Sequence, residues 1–177
     1  MNYVPMVNKL VVDFSKCVGC RYCELWCSFK HYGVFSPSLS RIAVVKDDFI
    51  GMDQPVVCKF CDPAPCVASC PVNALIRSGD GVINVNSEAC VSCSSCVESC
   101  PYGAIKLHPN NSKPIVCDLC GGNPTCVLKC PTNALRIYPV SSVDLSYRDL
   151  IKSLGKEFEK SIQLHKELMA LWGVRLE

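Results

Sequence analysis

Sixteen cysteines among 177 residues constrain this chain more than any other feature, because they fall in four runs of four around which the interior must be organised. The first run is Cys17, Cys20, Cys23 and Cys27, and the third is Cys90, Cys93, Cys96 and Cys100; both have the spacing C-x2-C-x2-C-x3-C. The second run (Cys58, Cys61, Cys66, Cys70) and the fourth (Cys117, Cys120, Cys126, Cys130) widen the middle gap to four and five residues, which lengthens a loop without removing a thiol. Three runs close on one phrase: Cys70-Pro-Val-Asn-Ala-Leu, Cys100-Pro-Tyr-Gly-Ala-Ile and Cys130-Pro-Thr-Asn-Ala-Leu. Their last cysteines recur every thirty residues, the mark of a duplicated unit.

Three thiols in a tight loop, with a fourth three residues further on and often followed by proline, form the ligand pattern of a 4Fe-4S cubane, and sixteen thiolates supply four of them. A cubane presents four corners and one loop reaches three. In the bacterial pattern the last cysteine of each run therefore serves the other cluster of a pair. The proline behind it has no amide to donate and a fixed φ, so it ends the ligand loop and turns the chain away. Backbone amides of the tight loop are placed to point at sulfur and stabilise the added charge of the reduced state. Zinc ribbons also use paired C-x2-C, but they close a site with two pairs, and four runs ending in C-x3-C exceed that need. A disulfide scaffold requires an oxidising compartment, and the start Met1-Asn-Tyr-Val-Pro-Met-Val-Asn-Lys has neither a charged region leading into an apolar stretch nor a twin arginine, so the expected location is cytoplasmic.

The apolar fraction of 49% includes the sixteen thiols, so the ordinary core is smaller than it looks and folding should depend on metal. The formal charge of +2 belongs to the apo chain. Each oxidised cluster with four thiolates carries about −2, which takes the loaded protein to about −6 and removes any basis for nucleic-acid binding. No apolar run is long enough to cross a bilayer, so no direct membrane span is expected.

The pattern predicts an α+β chain in which each ligand loop is followed by a helical turn carrying the fourth ligand and then a strand. Lys9-Leu-Val-Val-Asp-Phe reads as an edge strand, and Ala74-Leu-Ile-Arg with Gly81-Val-Ile-Asn-Val-Asn reads as a hairpin about Ser78-Gly-Asp-Gly. Ala104-Ile-Lys-Leu and Ala134-Leu-Arg-Ile-Tyr are the matching strands. The first unit lacks the proline. After Cys27 comes an insertion, 28–57, with Arg41-Ile-Ala-Val-Val-Lys as its strand. Beyond 140 there is no cysteine; Ser146-Tyr-Arg-Asp149 reads as a capping box, and Ile151, Leu154, Phe158, Ile162, His165, Met169 and Trp172 recur at spacings of three and four. This C-terminal amphipathic helix, or two broken near Gly155, either packs on its own domain or docks to cover a cluster or grip a partner. His31 could sit near a cluster or donate to a partner, but as a loop histidine beside Tyr32 and Phe35 it reads as structural; His108 and His165 are weaker candidates, and Tyr22, Trp26 and Tyr102 read as shields against water.

Four such runs, with the second and fourth expanded and the first lacking its proline, resemble the four-cluster iron-sulfur subunits of complex oxidoreductases. These accompany dimethyl sulfoxide reductase-like molybdoenzymes, formate dehydrogenases and hydrogenases. The stretch Cys27-Ser-Phe-Lys-His-Tyr-Gly-Val-Phe-Ser-Pro-Ser-Leu-Ser-Arg-Ile looks closer to the small polyferredoxin subunits of tungsten aldehyde oxidoreductases. The resemblance implies a domain over 1–140, made of two fused bacterial ferredoxin-like lobes, and a helical tail over 141–177. One lobe takes runs 17–27 and 117–130, the other runs 58–70 and 90–100. The implied ligand sets are Cys17, Cys20, Cys23 with Cys130; Cys58, Cys61, Cys66 with Cys100; Cys90, Cys93, Cys96 with Cys70; and Cys117, Cys120, Cys126 with Cys27. The implied role is non-catalytic. Four 4Fe-4S clusters carry electrons between a tungsten or molybdenum pterin catalytic subunit, aldehyde oxidoreductase type favoured, and ferredoxin or another acceptor. The alternatives are a subunit of a hydrogenase, formate dehydrogenase or carbon monoxide dehydrogenase complex, and, in another class, an iron-sulfur-stabilised binding module.

Overall fold

The computed structural model describes residues 6–47 and 52–141. Its strands form two-stranded antiparallel sheets: β1 (Met6–Val12) with β8 (Leu135–Ser141), β2 (Ala43–Asp47) with β3 (Met52–Val56), β4 (Leu75–Arg77) with β5 (Ile83–Val85), and β6 (Lys106–Leu107) with β7 (Pro114–Ile115). The hairpin read from residues 74 to 86 is present; Leu75 and Ile83 point inward while Ile76 and Asn84 point out, and Val82 N donates to Asp80 Oδ1 at 3.1 Å in the turn. Strands β3 and β7 have no counterpart in the sequence reading; each contains a proline (Pro55, Pro114), which a two-stranded sheet tolerates. The longest pairing joins the two ends of the described chain, Leu10 opposite Ile137 and Val12 opposite Leu135.

Four helices carry thiols. Helix α1 (Tyr22–Tyr32) has 11 residues, whereas α2 (Pro65–Ala68), α3 (Ser95–Glu98) and α4 (Thr125–Leu128) have 4 each. Each short helix carries the third cysteine of its run (Cys66, Cys96, Cys126), and the fourth lies just past the C-cap. The expectation of a fourth ligand on the helical turn therefore holds for Cys27, which lies in α1, and needs correction for Cys70, Cys100 and Cys130. A residue before proline is driven out of the α region, so Pro71, Pro101 and Pro131 stop the helix before the last cysteine.

Helix α1 packs on α4 and α2 packs on α3, with Ser69 Oγ donating to Ser99 Oγ at 2.8 Å across the second contact. One apolar core runs among the thiols, built from Leu10, Val12, Ile42, Val44, Val57, Phe60, Leu75, Ile83, Ile105, Val116, Leu119 and Leu135. The insertion is tied to it by Glu24, 1% exposed, which accepts from Val44 N at 2.8 Å and from Arg21 Nε at 2.5 Å. No helix among the described residues is long and apolar enough to cross a membrane. The amphipathic stretch read beyond 146 lies outside them.

Candidate iron-sulfur centres

The four ligand loops share one backbone device. The second residue after the first cysteine has positive φ in every run: Gly19 at 60°, Phe60 at 50°, Ser92 at 56° and Leu119 at 54°. That conformation turns its own amide back onto the cysteine. Phe60 N donates to Cys58 Sγ and Ser92 N to Cys90 Sγ at 3.4 Å each, and the amides of Gly19 and Leu119 likewise serve Cys17 and Cys117. At Gly19 there is a second constraint, since a Cβ there would fall 2.2 Å from the Asp53 carboxylate.

The Cys-Pro-x-x-Ala phrase is a second device. Asn73, Gly103 and Asn133 have φ of 51°, 59° and 53°, and each donates its amide to the carbonyl of the cysteine three residues back. The alanine that follows is buried in all three copies and aims its amide at sulfur: Ala74 N to Cys70 Sγ at 3.2 Å, Ala104 N to Cys100 Sγ at 3.4 Å. Against burial, the amides of Leu75, Val72, Ala74 and Asn73 bring the Cys70 thiol below its ordinary pKa. The amides of Leu135, Thr132 and Ala134, with the Thr132 hydroxyl, do the same for Cys130. Converging amides of this kind form an anion-binding concavity.

The remaining thiols are mostly raised, burial first. It pushes Cys23 up to about 12 and Cys58 up to about 11, and raises Cys17, Cys27, Cys66, Cys96, Cys117 and Cys126. Neighbouring thiolates add to it, which shows who sits beside whom. Cys17 feels Cys20 and Cys130; Cys58 feels Cys66, Cys61 and Cys100; Cys126 feels Cys117, Cys27 and Cys120. Cys96 feels Cys90 and Cys93, and Cys93 feels Cys70. Cys23 with Cys126, Cys117 with Cys58, and Cys66 with Cys96 are neighbours that cross between these groups. Of the sixteen, only Cys20 and Cys93 are exposed.

All sixteen thiols are free of disulfides. A tetrahedral zinc with bonds of about 2.3 Å would draw its sulfurs to about 3.8 Å of one another. The one group of three or more ligand atoms within 4.8 Å among the described residues is His31, Asp118 and Cys120, which is not a set of thiols. Buried thiols held apart, with amides aimed at their sulfurs, fit 4Fe-4S clusters instead.

Around Cys27 the surroundings differ. Arg41 N donates to Cys27 Sγ at 3.3 Å, and the Arg41 guanidinium pairs with Asp118 Oδ2. Asp118 Oδ1 accepts from Cys120 N at 2.9 Å, and although burial opposes it, that bond and Arg41 hold the carboxyl below its usual range. His31 lies in the last turn of α1, not in a loop, with Nε2 at 3.6 Å from Cys120 Sγ and 3.5 Å from Asp118 Oδ1. Burial and then Arg41 lower its pKa, against Asp118. Glu24, Arg41 and Asp118 escaped the sequence reading; the signals available were a charge between two ligands (Glu24) and one next to a ligand (Asp118).

Trp26 is half-buried in an aromatic group with Phe29 and Phe35, under Lys129 Nζ at 4.5 Å. Tyr22 and Tyr102 are each about half exposed; Tyr102 lines a small recess with Cys58, Cys61, Cys66 and Cys100. His108 packs its ring on Tyr32 and accepts from Asn110 N.

Residues 51–139 match the 4Fe-4S dicluster domain family, and the chain belongs to that family. Its thiol inventory fits four 4Fe-4S clusters. Among curated proteins it is similar to the polyferredoxin-like subunit of aliphatic sulfonate oxidoreductase from Pyrococcus furiosus, 40% identical over 87 residues, covering 49% of this chain and 50% of that one. It is also similar to formate hydrogenlyase subunit 2 of Escherichia coli, 38% identical over 88 residues, covering 49% and 42%. The matches thus span about half the length of these relatives, or less. Among solved structures, a chain of the active site complex BamBC of benzoyl coenzyme A reductase with benzoyl-CoA aligns over 87% of this chain and 92% of that one, at 27% identity and a TM-score of 0.50.

Proposed function

We propose that this chain is the non-catalytic electron-transfer subunit of an oxidoreductase complex, passing electrons through four 4Fe-4S clusters. The observation that carries the reading is the linear succession of thiol groups. Cys17, Cys20, Cys23 and Cys130 adjoin Cys117, Cys120, Cys126 and Cys27 through Cys23 and Cys126; these adjoin Cys58, Cys61, Cys66 and Cys100 through Cys117 and Cys58; and the last group, Cys90, Cys93, Cys96 and Cys70, follows through Cys66 and Cys96. We take these four groups as the ligand sets, and the α1–α4 and α2–α3 contacts as the two ferredoxin-like lobes of residues 1–140. The exposed thiols, Cys20 and Cys93, belong to the first and last sets, so electrons enter and leave at the ends while the inner sets are covered.

A 4Fe-4S cluster, once bound, supplies one-electron storage. What the chain contributes is burial, amides aimed at sulfur, and an unbroken order of sites. The proposed partner is a tungsten or molybdenum pterin catalytic subunit of aldehyde oxidoreductase type, with ferredoxin or another acceptor beyond it. Support for that choice is the stretch from Cys27 to Ile42 and the polyferredoxin-like relative. Anaerobically purified protein is expected to hold about 16 iron and about 16 acid-labile sulfide per chain and to be reduced reversibly by dithionite, with magnetically coupled signals. Stoichiometric zinc with little sulfide would sink the reading.

A further inference from the structure

We propose that His31 is a positioning residue for the inner site of Cys117, Cys120, Cys126 and Cys27, donating Nε2–H to Cys120 Sγ and raising that site's reduction potential. The inference rests on the wire reading above and extends it to one site. Both groups facing Nε2 are acceptors: the Cys120 sulfur at 3.6 Å and Asp118 Oδ1 at 3.5 Å. A ring lone pair aimed at a thiolate and a carboxylate would be repelled by both, so the proton sits on Nε2. Asp118 Oδ1 already accepts from Cys120 N and its other oxygen pairs with Arg41, whereas the hydrogen-bond contact of Nε2 is with the Cys120 sulfur. A distance of 3.6 Å is ordinary for a bond to sulfur, whose radius exceeds that of oxygen.

The donor comes from outside the ligand run it serves. His31 lies 89 residues from Cys120, and the amide of Arg41, 14 residues past Cys27, serves a second sulfur of the same site. Reduction adds one electron from a neighbouring cluster, exchanges no proton, and takes the net charge of the site from about −2 to about −3. A donor to thiolate sulfur favours the more negative state, which is a rise in potential. The imidazole side chain is largely covered, 12% exposed, so water does not readily replace it.

The test compares His31→Leu, which removes the donor, with His31→Gln, whose amide restores one, in the full chain. Redox titration followed by electron paramagnetic resonance should show one midpoint moving to lower potential in His31→Leu, the other three unchanged and iron content kept, with His31→Gln closer to wild type. The shifted centre should be the one that Cys120→Ser disrupts. Resonance Raman spectra of the oxidised protein should show an iron–thiolate stretch moving up in His31→Leu, and this arm reads the hydrogen bond even if dithionite fails to reduce the clusters and the wire reading falls. Unchanged midpoints together with an unchanged stretch overturn the proposal. So does loss of the same iron from both variants, which would make His31 structural, or a zinc ion present in wild type and lost in both.

Discussion

Three of the fourth cysteines in this protein and Cys27 solve the same problem by different routes. After Cys70, Cys100 and Cys130 a proline stops the helix at 4 residues and frees the following amides, which converge on sulfur. After Cys27 comes Ser28, and α1 runs on to Tyr32, where Gly33 at φ 70° closes it. Amides within a helix are committed to the carbonyl four residues back and cannot turn to sulfur. Cys27 therefore draws its donor from the insertion, the Arg41 amide, and burial keeps its thiol above the ordinary pKa while Cys70 and Cys130 fall below it. A local turn makes a sulfur cradle wherever the phrase occurs. A helical cysteine has one only if the rest of the chain brings it.

The comparison can be broken most severely at Cys27 itself. Cys27→Ser should damage the site of Cys117, Cys120 and Cys126, leaving that of Cys17, Cys20 and Cys23 intact, so iron falls to about 15 with a 3Fe-4S signal, or to about 12 if the cluster is lost. A structure with Cys17, Cys20, Cys23 and Cys27 around a single cubane would refute the ligand sets while sparing the electron-transfer role.

Making the first unit like the others tests why it differs. Ser28→Pro places the ring inside α1 and removes the hydroxyl that donates to Leu25 O at 2.9 Å and accepts from Ser36 N at 3.0 Å. The expected cost is about 3 kcal/mol or more, read as a lower denaturant midpoint with cluster absorbance bleaching in the same transition. Stability held at the wild-type level would mean that the missing proline has no structural meaning.

Smaller effects sharpen the contrast from each side. Glu24→Ala leaves the buried Val44 amide without its acceptor and should cost about 1–3 kcal/mol, loosening the insertion that serves Cys27. In the local cradle, Asn133→Val forces a β-branched residue to φ 53° and should cost about 1–2 kcal/mol, whereas Asn133→Gly should be close to neutral. If thermal melts of the loaded protein rank Val and Gly alike at 133, the cradle does not depend on that left-handed residue.

The cysteine spacing alone determined the cofactor type and number, and the strands after the repeated phrase and the hairpin about Ser78 were legible, because loop length and turn chemistry are local. The prolines were legible as the ends of the ligand loops, but not as stops that close each short helix before its last cysteine. What the tertiary structure decided is everything that joins distant residues: the pairing of β1 with β8, the packing of α1 on α4, strand β3 despite Pro55, and the meeting of His31, Arg41 and Asp118 beside Cys27 and Cys120. A histidine before a tyrosine carries no sign of a sulfur 89 residues away. Such contacts are fixed by how helices and strands bury their apolar faces in one shared core, and spacing along the chain does not record which faces meet.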